Sequence, residues 1–154
     1  MSFASVIDTT ILNKARKYCS YQERSQQEVR DKLYELGLHK KEVEQTIALM
    51  VEEKYLNEER FAIAYAGGKF RIKHWGRIKI KLALKQKRVS PYCINKALKE
   101  INERDYQKCL EKIISDYGKK VLEKNALKKN YKIAQYAMGR GFEPEMVWEI
   151  LRSD

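Results

Sequence analysis

Lys69, Arg71, Lys73, Arg77, Lys79, Lys81, Lys85, Lys87 and Arg88 fall within 20 consecutive residues that contain no Asp or Glu. Side chains of this type at this density suit one task above others, holding the phosphates of a polyanion by displacing its condensed counterions. The wider block from Phe61 to Lys99 carries 11 Lys and Arg in 39 residues, again with no acid, so it accounts for the whole formal net charge of +11. The rest of the chain is balanced, with 21 basic and 21 acidic residues. Ordinary solubility is served by interspersed signs, and a field of one sign repels itself, so a local excess of this size points to an anionic partner. Read as a helix, Arg77, Lys81, Lys85 and Arg88 are spaced by four, four and three and share one face, with Lys69 and Lys73 a shorter pair before them. Trp75 stands beside the Gly76 turn as the exposed aromatic best placed to stack on an unpaired base, whereas Phe61 and Tyr65 read as core.

Other chemistry finds little support. Glu52, Glu53, Glu58 and Glu59 resemble a carboxylate cluster that a metal-dependent nuclease would need, but they flank a helix end and the next helix start, where capping and surface charge explain them. His39 and His74 have no His or Cys at ligand spacing, so no metal site, catalytic residue or cofactor is expected. Cys19, Cys93 and Cys109 are odd in number, widely spaced and set in apolar helical patterns, which reads as small buried hydrophobes in a reduced, cytoplasmic chain. The N-terminus has no signal-peptide pattern, and no apolar run approaches the roughly 20 residues a membrane span needs.

The elements that position these residues are helices. At 154 residues, 44% hydrophobic and 34% charged, the chain is a folded one, and Gly and Pro together number only nine. Val29, Leu33, Leu38, Val43 and Ile47 recur 51 residues later as Ile80, Leu84, Val89, Ile94 and Leu98. They recur 53 residues later again as Ile133, Ala137, Phe142, Val147 and Leu151. Pro91 and Pro144 coincide in the second and third copies, where the first has Lys40. The fold expected is all-α, with three tandem three-helix repeats over 11–56, 57–102 and 103–154 forming an elongated, curved molecule.

Local signals agree with that division. Ser25-Gln26-Gln27-Glu28 is a capping box, Gly37 closes the helix it opens, and Ser90-Pro91 supplies a cap and a first-turn proline. Asn57 opens a helix expected to place Phe61, Tyr65 and Ile72 on one face and to end near His74; Gly67-Gly68 within it suggests close helix packing. The stretch from Arg77 to Leu82 alternates as a strand would, but the repeat and the continuation to Lys87 make it a helix. That helix is apolar on two sides, with Ile80 and Leu84 on one and Ile78 and Leu82 on the other, so it is either held between neighbours or meets a partner.

These residues carry a family resemblance over about residues 11 to 152. The run from Leu56 to Ala62, reading Leu-Asn-Glu-Glu-Arg-Phe-Ala, the Gly76-Arg77 turn and Arg140-Gly141-Phe142, set in a three-repeat frame, resemble RecX, a family of bacterial regulators of the RecA recombinase. The resemblance implies a protein without catalysis of its own that docks along the RecA-DNA filament and restrains its recombinase and ATPase activities. Arg88 and Ala83 depart from it, standing where a Gly and an acidic residue are common. The expected partners are the RecA filament and single- and double-stranded DNA, for a monomeric protein that avoids membranes. The rival readings are a general DNA-binding helical repeat with no RecA partner, and a carboxylate-dependent nuclease.

Overall fold

A computed structural model describes residues 7–153, and the fifteen apolar repeat positions are where the chain buries itself: all except the partly exposed Leu98 are buried. Nine helices occur among the described residues: α1 (Thr9–Tyr21), α2 (Gln26–Glu35), α3 (Lys40–Glu52), α4 (Glu58–Lys73), α5 (Arg77–Gln86), α6 (Pro91–Lys99), α7 (Glu103–Lys120), α8 (Ala126–Gly139) and α9 (Pro144–Ser153). The fold is an all-α helical repeat, and none of these helices is long and apolar enough to cross a membrane.

Short-range chemistry sets most helix starts. Asp8, Ser25, Asn57, Ser90, Asn102 and Asn125 each accept a hydrogen bond from an otherwise orphaned first-turn backbone N–H. Ser25 takes its bond from the Glu28 N–H at 3.1 Å and returns its hydroxyl to the Glu28 carboxylate at 3.3 Å. The middle helix of each repeat ends in the same way. Gly37, Arg88 and Gly141 all adopt positive φ, and the next residue reaches back five places: Leu38 N–H to Leu33 O, Val89 to Leu84, and Phe142 to Ala137. The repeat is therefore conserved in hydrogen bonding as well as in apolar spacing.

The alternating stretch is helical, as the repeat requires: Ile80 and Leu84 of α5 are fully buried, while Ile78 and Leu82 stand 50% and 58% exposed. Ile72 shares a face of α4 with Phe61 and Tyr65 but is not buried there. It is 76% exposed, whereas Phe70, in the same last turn of α4, packs into the core. Gly67-Gly68 is not a site of close helix packing either. The Arg71 guanidinium lies over Gly67, and open space surrounds the missing Cβ of Gly68. The most extensive helix pairing is α4 on α6, and both helices carry small buried residues, Ala62 and Ala66 on one and Cys93 and Ala97 on the other.

The core comes in two parts. α1 to α3 close around Val29, Leu33, Val43 and Met50, and the buried residues of α4 to α9 form one continuous cluster. Two ion pairs connect the first cluster to the second: Arg60 Nε donates to the Glu23 carboxylate, and Lys87 Nζ to Glu28 at 3.4 Å.

Candidate nucleic-acid and partner interface

The C-terminal half of α4 presents Lys69, Arg71 and Lys73, and α5 with its cap presents Lys79, Lys81, Lys85, Lys87 and Arg88. Among the described residues, Lys69, Arg71, Lys73, Lys79, Lys81, Lys85 and Arg88 form no ion pair, and the helices that carry them hold no carboxylate beyond Glu58 and Glu59 at the far end of α4. Two arginines of the first repeat are instead committed to carboxylates. There Arg16 pairs with Glu53 at 2.7 Å and Arg30 with Glu44 at 2.6 Å, and the arginine hydrogen bonds hold both carboxyls below their ordinary range. Seven cations without an ion pair on α4, α5 and the turn that follows are chemically suited to phosphate, because each can take up an anion without giving up a carboxylate.

Aromatic rings order part of this surface. Lys69 Nζ lies 5.4 Å from the Tyr65 ring centroid and 4.9 Å from that of Trp75, Lys79 lies 4.5 Å from Trp75, and Lys87 lies 5.6 Å from Tyr65. The cations and rings thus alternate across α4 and α5, each ring fixing a lysine headgroup by its quadrupole. Burial pushes the Tyr65 hydroxyl above the usual tyrosine range. Trp75, expected to be exposed, is half-buried against the core, with two ammonium groups over its ring. A base could stack there only if those lysines moved aside.

Arg77 leaves the stripe on which its spacing places it. Its guanidinium lies 3.8 Å from the Tyr106 ring centroid, donates to Glu143 Oε2 at 2.7 Å, and reaches the Glu103 carboxylate on its outer side. Tyr106 closes the node, its hydroxyl donating to Glu143 and accepting from the Arg77 backbone N–H at 2.9 Å. Burial, reinforced by the Glu143 bond, pushes that hydroxyl far above the usual tyrosine range. With its side chain 20% exposed and two carboxylates of the third repeat on it, Arg77 is a joint between repeats and not a free cation.

The backbone beside it explains two of the sequence motifs. Gly76 N–H donates to Arg140 O at 2.8 Å and Ile78 N–H to Gly141 O at 2.9 Å, while the Arg140 side chain reaches the Lys73 carbonyl. A Cβ on Gly76 would collide with the Gly141 backbone, and Phe142 packs 5.1 Å from Tyr106. Gly76-Arg77 and Arg140-Gly141-Phe142 are therefore two halves of one junction. The Leu56–Ala62 motif is structural too: Leu56, Phe61 and Ala62 are buried, and Arg60 holds Glu23 and the Lys54 and Tyr55 carbonyls.

The carboxylate cluster is dispersed among similar duties. Glu53 pairs with Arg16, Glu58 Oε1 accepts from the Ser90 N–H at 2.6 Å, and Glu59 lies 3.6 Å from Lys96. Cys19 and Cys93 are buried, and Cys109 places its Sγ 3.8 Å from His74 Nδ1, the left-handed cap of α4. Sequence reasoning missed the Lys87–Glu28 pair, which joins the basic surface to the first repeat. No local signal could have shown it, since the partners lie 59 residues apart.

Comparison with known proteins places this arrangement. Residues 12–48 match the first three-helix domain of RecX, and residues 57–98 match the second. The chain is 32% identical over 141 residues to Regulatory protein RecX of Thermotoga petrophila, covering 91% of this chain and 81% of that protein. It is 29% identical over 141 residues to Regulatory protein RecX of Clostridium tetani, of whose length it spans 62%. The fold superposes on the crystal structure of RecX from Lactobacillus salivarius with a TM-score of 0.85, at 23% identity and 94% coverage of both chains. A second crystal structure, of regulatory protein RecX, gives 0.81 at 20% identity, covering 94% of this chain and 72% of that one. With both domain models matched in order and the motif residues meeting at the joints between repeats, the chain belongs to the RecX family of regulatory proteins.

Proposed function

We propose that this chain is a non-catalytic, cytoplasmic regulator of the RecA recombinase that binds the RecA-DNA filament as a monomer and restrains its ATPase, recombination and repair activities. Three helical units, 11–56, 57–102 and 103–154, present the basic surface of the second unit to the filament. The observation that carries the reading is the set of seven cations on α4, α5 and the turn after α5 that have no carboxylate partner among the described residues, in a chain of the RecX family. Lys69, Arg71, Lys73, Lys79, Lys81, Lys85 and Arg88 make the electrostatic contacts, and Lys87 joins them when it releases Glu28. Affinity for single- and double-stranded DNA is sequence-independent, since phosphate contacts position a protein without reading bases. Restraint follows if binding favours one filament state over another, because a ligand shifts an equilibrium only through differential affinity.

The test is single-strand-dependent ATP hydrolysis by the cognate RecA, titrated with this protein at fixed salt. The comparison is a variant carrying Lys69→Gln, Lys81→Gln, Lys85→Gln and Arg88→Gln. Arg77 is left intact because its loss would disturb the fold. Inhibition by the wild type that the variant lacks is the expected result. An ATPase indifferent to the wild-type protein, with DNA binding intact, refutes the RecA partnership and leaves a general DNA-binding repeat.

A further inference from the structure

Ile78 and Leu82 are the apolar side chains that the fold of α5 leaves outside. On a helix turning 100° per residue, Leu82 points directly away from the core side set by Ile80 and Leu84, and Ile78 stands one turn before it on the same crest. Lys81 and Lys85 border this crest on one side and Lys79 on the other. Single exposed apolar residues need no explanation. Here, however, two neighbours half-exposed to solvent occupy the outermost line of a face bordered by unpaired lysines, the part of the helix that meets any partner first.

We infer that the α5 crest is the protein-contacting part of the surface, docking into an apolar recess with an acidic rim on the recombinase filament, while the α4 lysines and the Tyr65–Trp75 array face DNA. The assignment rests on the filament docking proposed above and divides that surface between its two partners. Charge decides the occupant. A phosphate backbone satisfies Lys81 and Lys85 but gives Ile78 and Leu82 nothing to exclude water with. A second copy of this chain would bring the same lysines against themselves. An anionic bilayer would find only two apolar side chains on a ten-residue helix whose opposite face is committed to the core. An acidic protein rim around an apolar recess satisfies both kinds of group, with the apolar pair as anchor and the lysines as rim, the usual anatomy of a protein interface.

The experiment compares Ile78→Gln/Leu82→Gln with the wild type and with Lys81→Gln/Lys85→Gln. Glutamine keeps the helix propensity of α5. Binding of fluorescently labelled protein is measured to RecA filaments on single-stranded DNA and to the same DNA bare, at one salt concentration. The apolar double variant should lose roughly 10- to 100-fold in filament affinity, as expected for removing two half-buried aliphatic contacts, with bare-DNA affinity unchanged. The lysine double variant should weaken both, because on bare DNA Lys81 and Lys85 have no acidic rim to meet and are free to take phosphates. Filament affinity that survives the apolar changes overturns the inference. So does a parallel loss on bare DNA, which places the crest against nucleic acid. The inference also fails if the variant abolishes wild-type self-association in sedimentation, or a wild-type affinity for phosphatidylserine vesicles. A wild-type protein that binds bare DNA but gains nothing from the filament refutes the docking proposal itself, and the crest assignment with it.

Discussion

Replacing Arg77 with Gln separates structure from binding at the position where the two are most easily confused. Spacing places Arg77 at the head of the basic stripe, yet the side chain is 20% exposed and spans Tyr106, Glu103 and Glu143. The Glu143 bond is the dominant loss, because a hydrogen bond between charged groups contributes about 1.5–3 kcal/mol. Stacking of the partly desolvated guanidinium on Tyr106 adds about 1 kcal/mol. The Glu103 pair adds little, because that carboxylate is 74% exposed and screened by solvent. Water reaching the 25% exposed Glu143 offsets part of the sum, so the expected loss is about 3 kcal/mol. For a chain of this size that lowers the melting temperature by roughly 6–12 °C. The assay is thermal unfolding by circular dichroism, with a salt titration of duplex-DNA affinity on the same samples. Lys81→Gln/Lys85→Gln should do the reverse, holding stability within about 0.5 kcal/mol while flattening the log affinity against log salt slope by about 1.8. If Arg77→Gln melts with the wild type and instead flattens the salt slope by about 0.9, Arg77 is a phosphate ligand and the junction argument is wrong.

Two further substitutions test the surface and its attachment to the first repeat. Arg88 adopts φ 61°, where the equivalent positions of the other repeats carry Gly37 and Gly141. Arg88→Gly should therefore raise stability by about 0.5–1 kcal/mol in urea unfolding and weaken DNA binding by one phosphate contact, read as a change of about 0.9 in the salt slope. Glu28→Gln keeps the capping role beside Ser25 but frees Lys87, and should raise duplex affinity at low salt by up to about 5-fold, the worth of an exposed ion pair. An unchanged affinity would mean that Lys87 takes no part in binding.

Much of the fold was legible because it is encoded locally. Capping side chains, the αL closures and the fifteen apolar positions act within a few residues of themselves, and fourteen of the fifteen are buried as the period requires. The helical state of Arg77–Gln86 was readable for the same reason, since repeat register outweighs a short alternation. The one exception among the fifteen, Leu98, is partly exposed at the edge of the core cluster it packs against. The resemblance to RecX was also legible, but the roles of its motif residues were not. Gly76, Arg77, Arg140, Gly141 and Phe142 form a single junction whose halves are about 65 residues apart in the chain.

By itself the sequence determined the helices, their repeat, the inward-facing residues and the placement of the net charge, because these follow from periodicity and short-range hydrogen bonding. Only the tertiary structure decided which cations remain free. Arg77 meets carboxylates 26 and 66 residues away, and Lys87 meets one 59 residues away, while Lys81 and Lys85 meet none among the described residues. It also decided that Trp75 is held against the core and that Ile78 and Leu82 are not. A helical pattern states which residues share a face; what that face meets depends on contacts that no local pattern records.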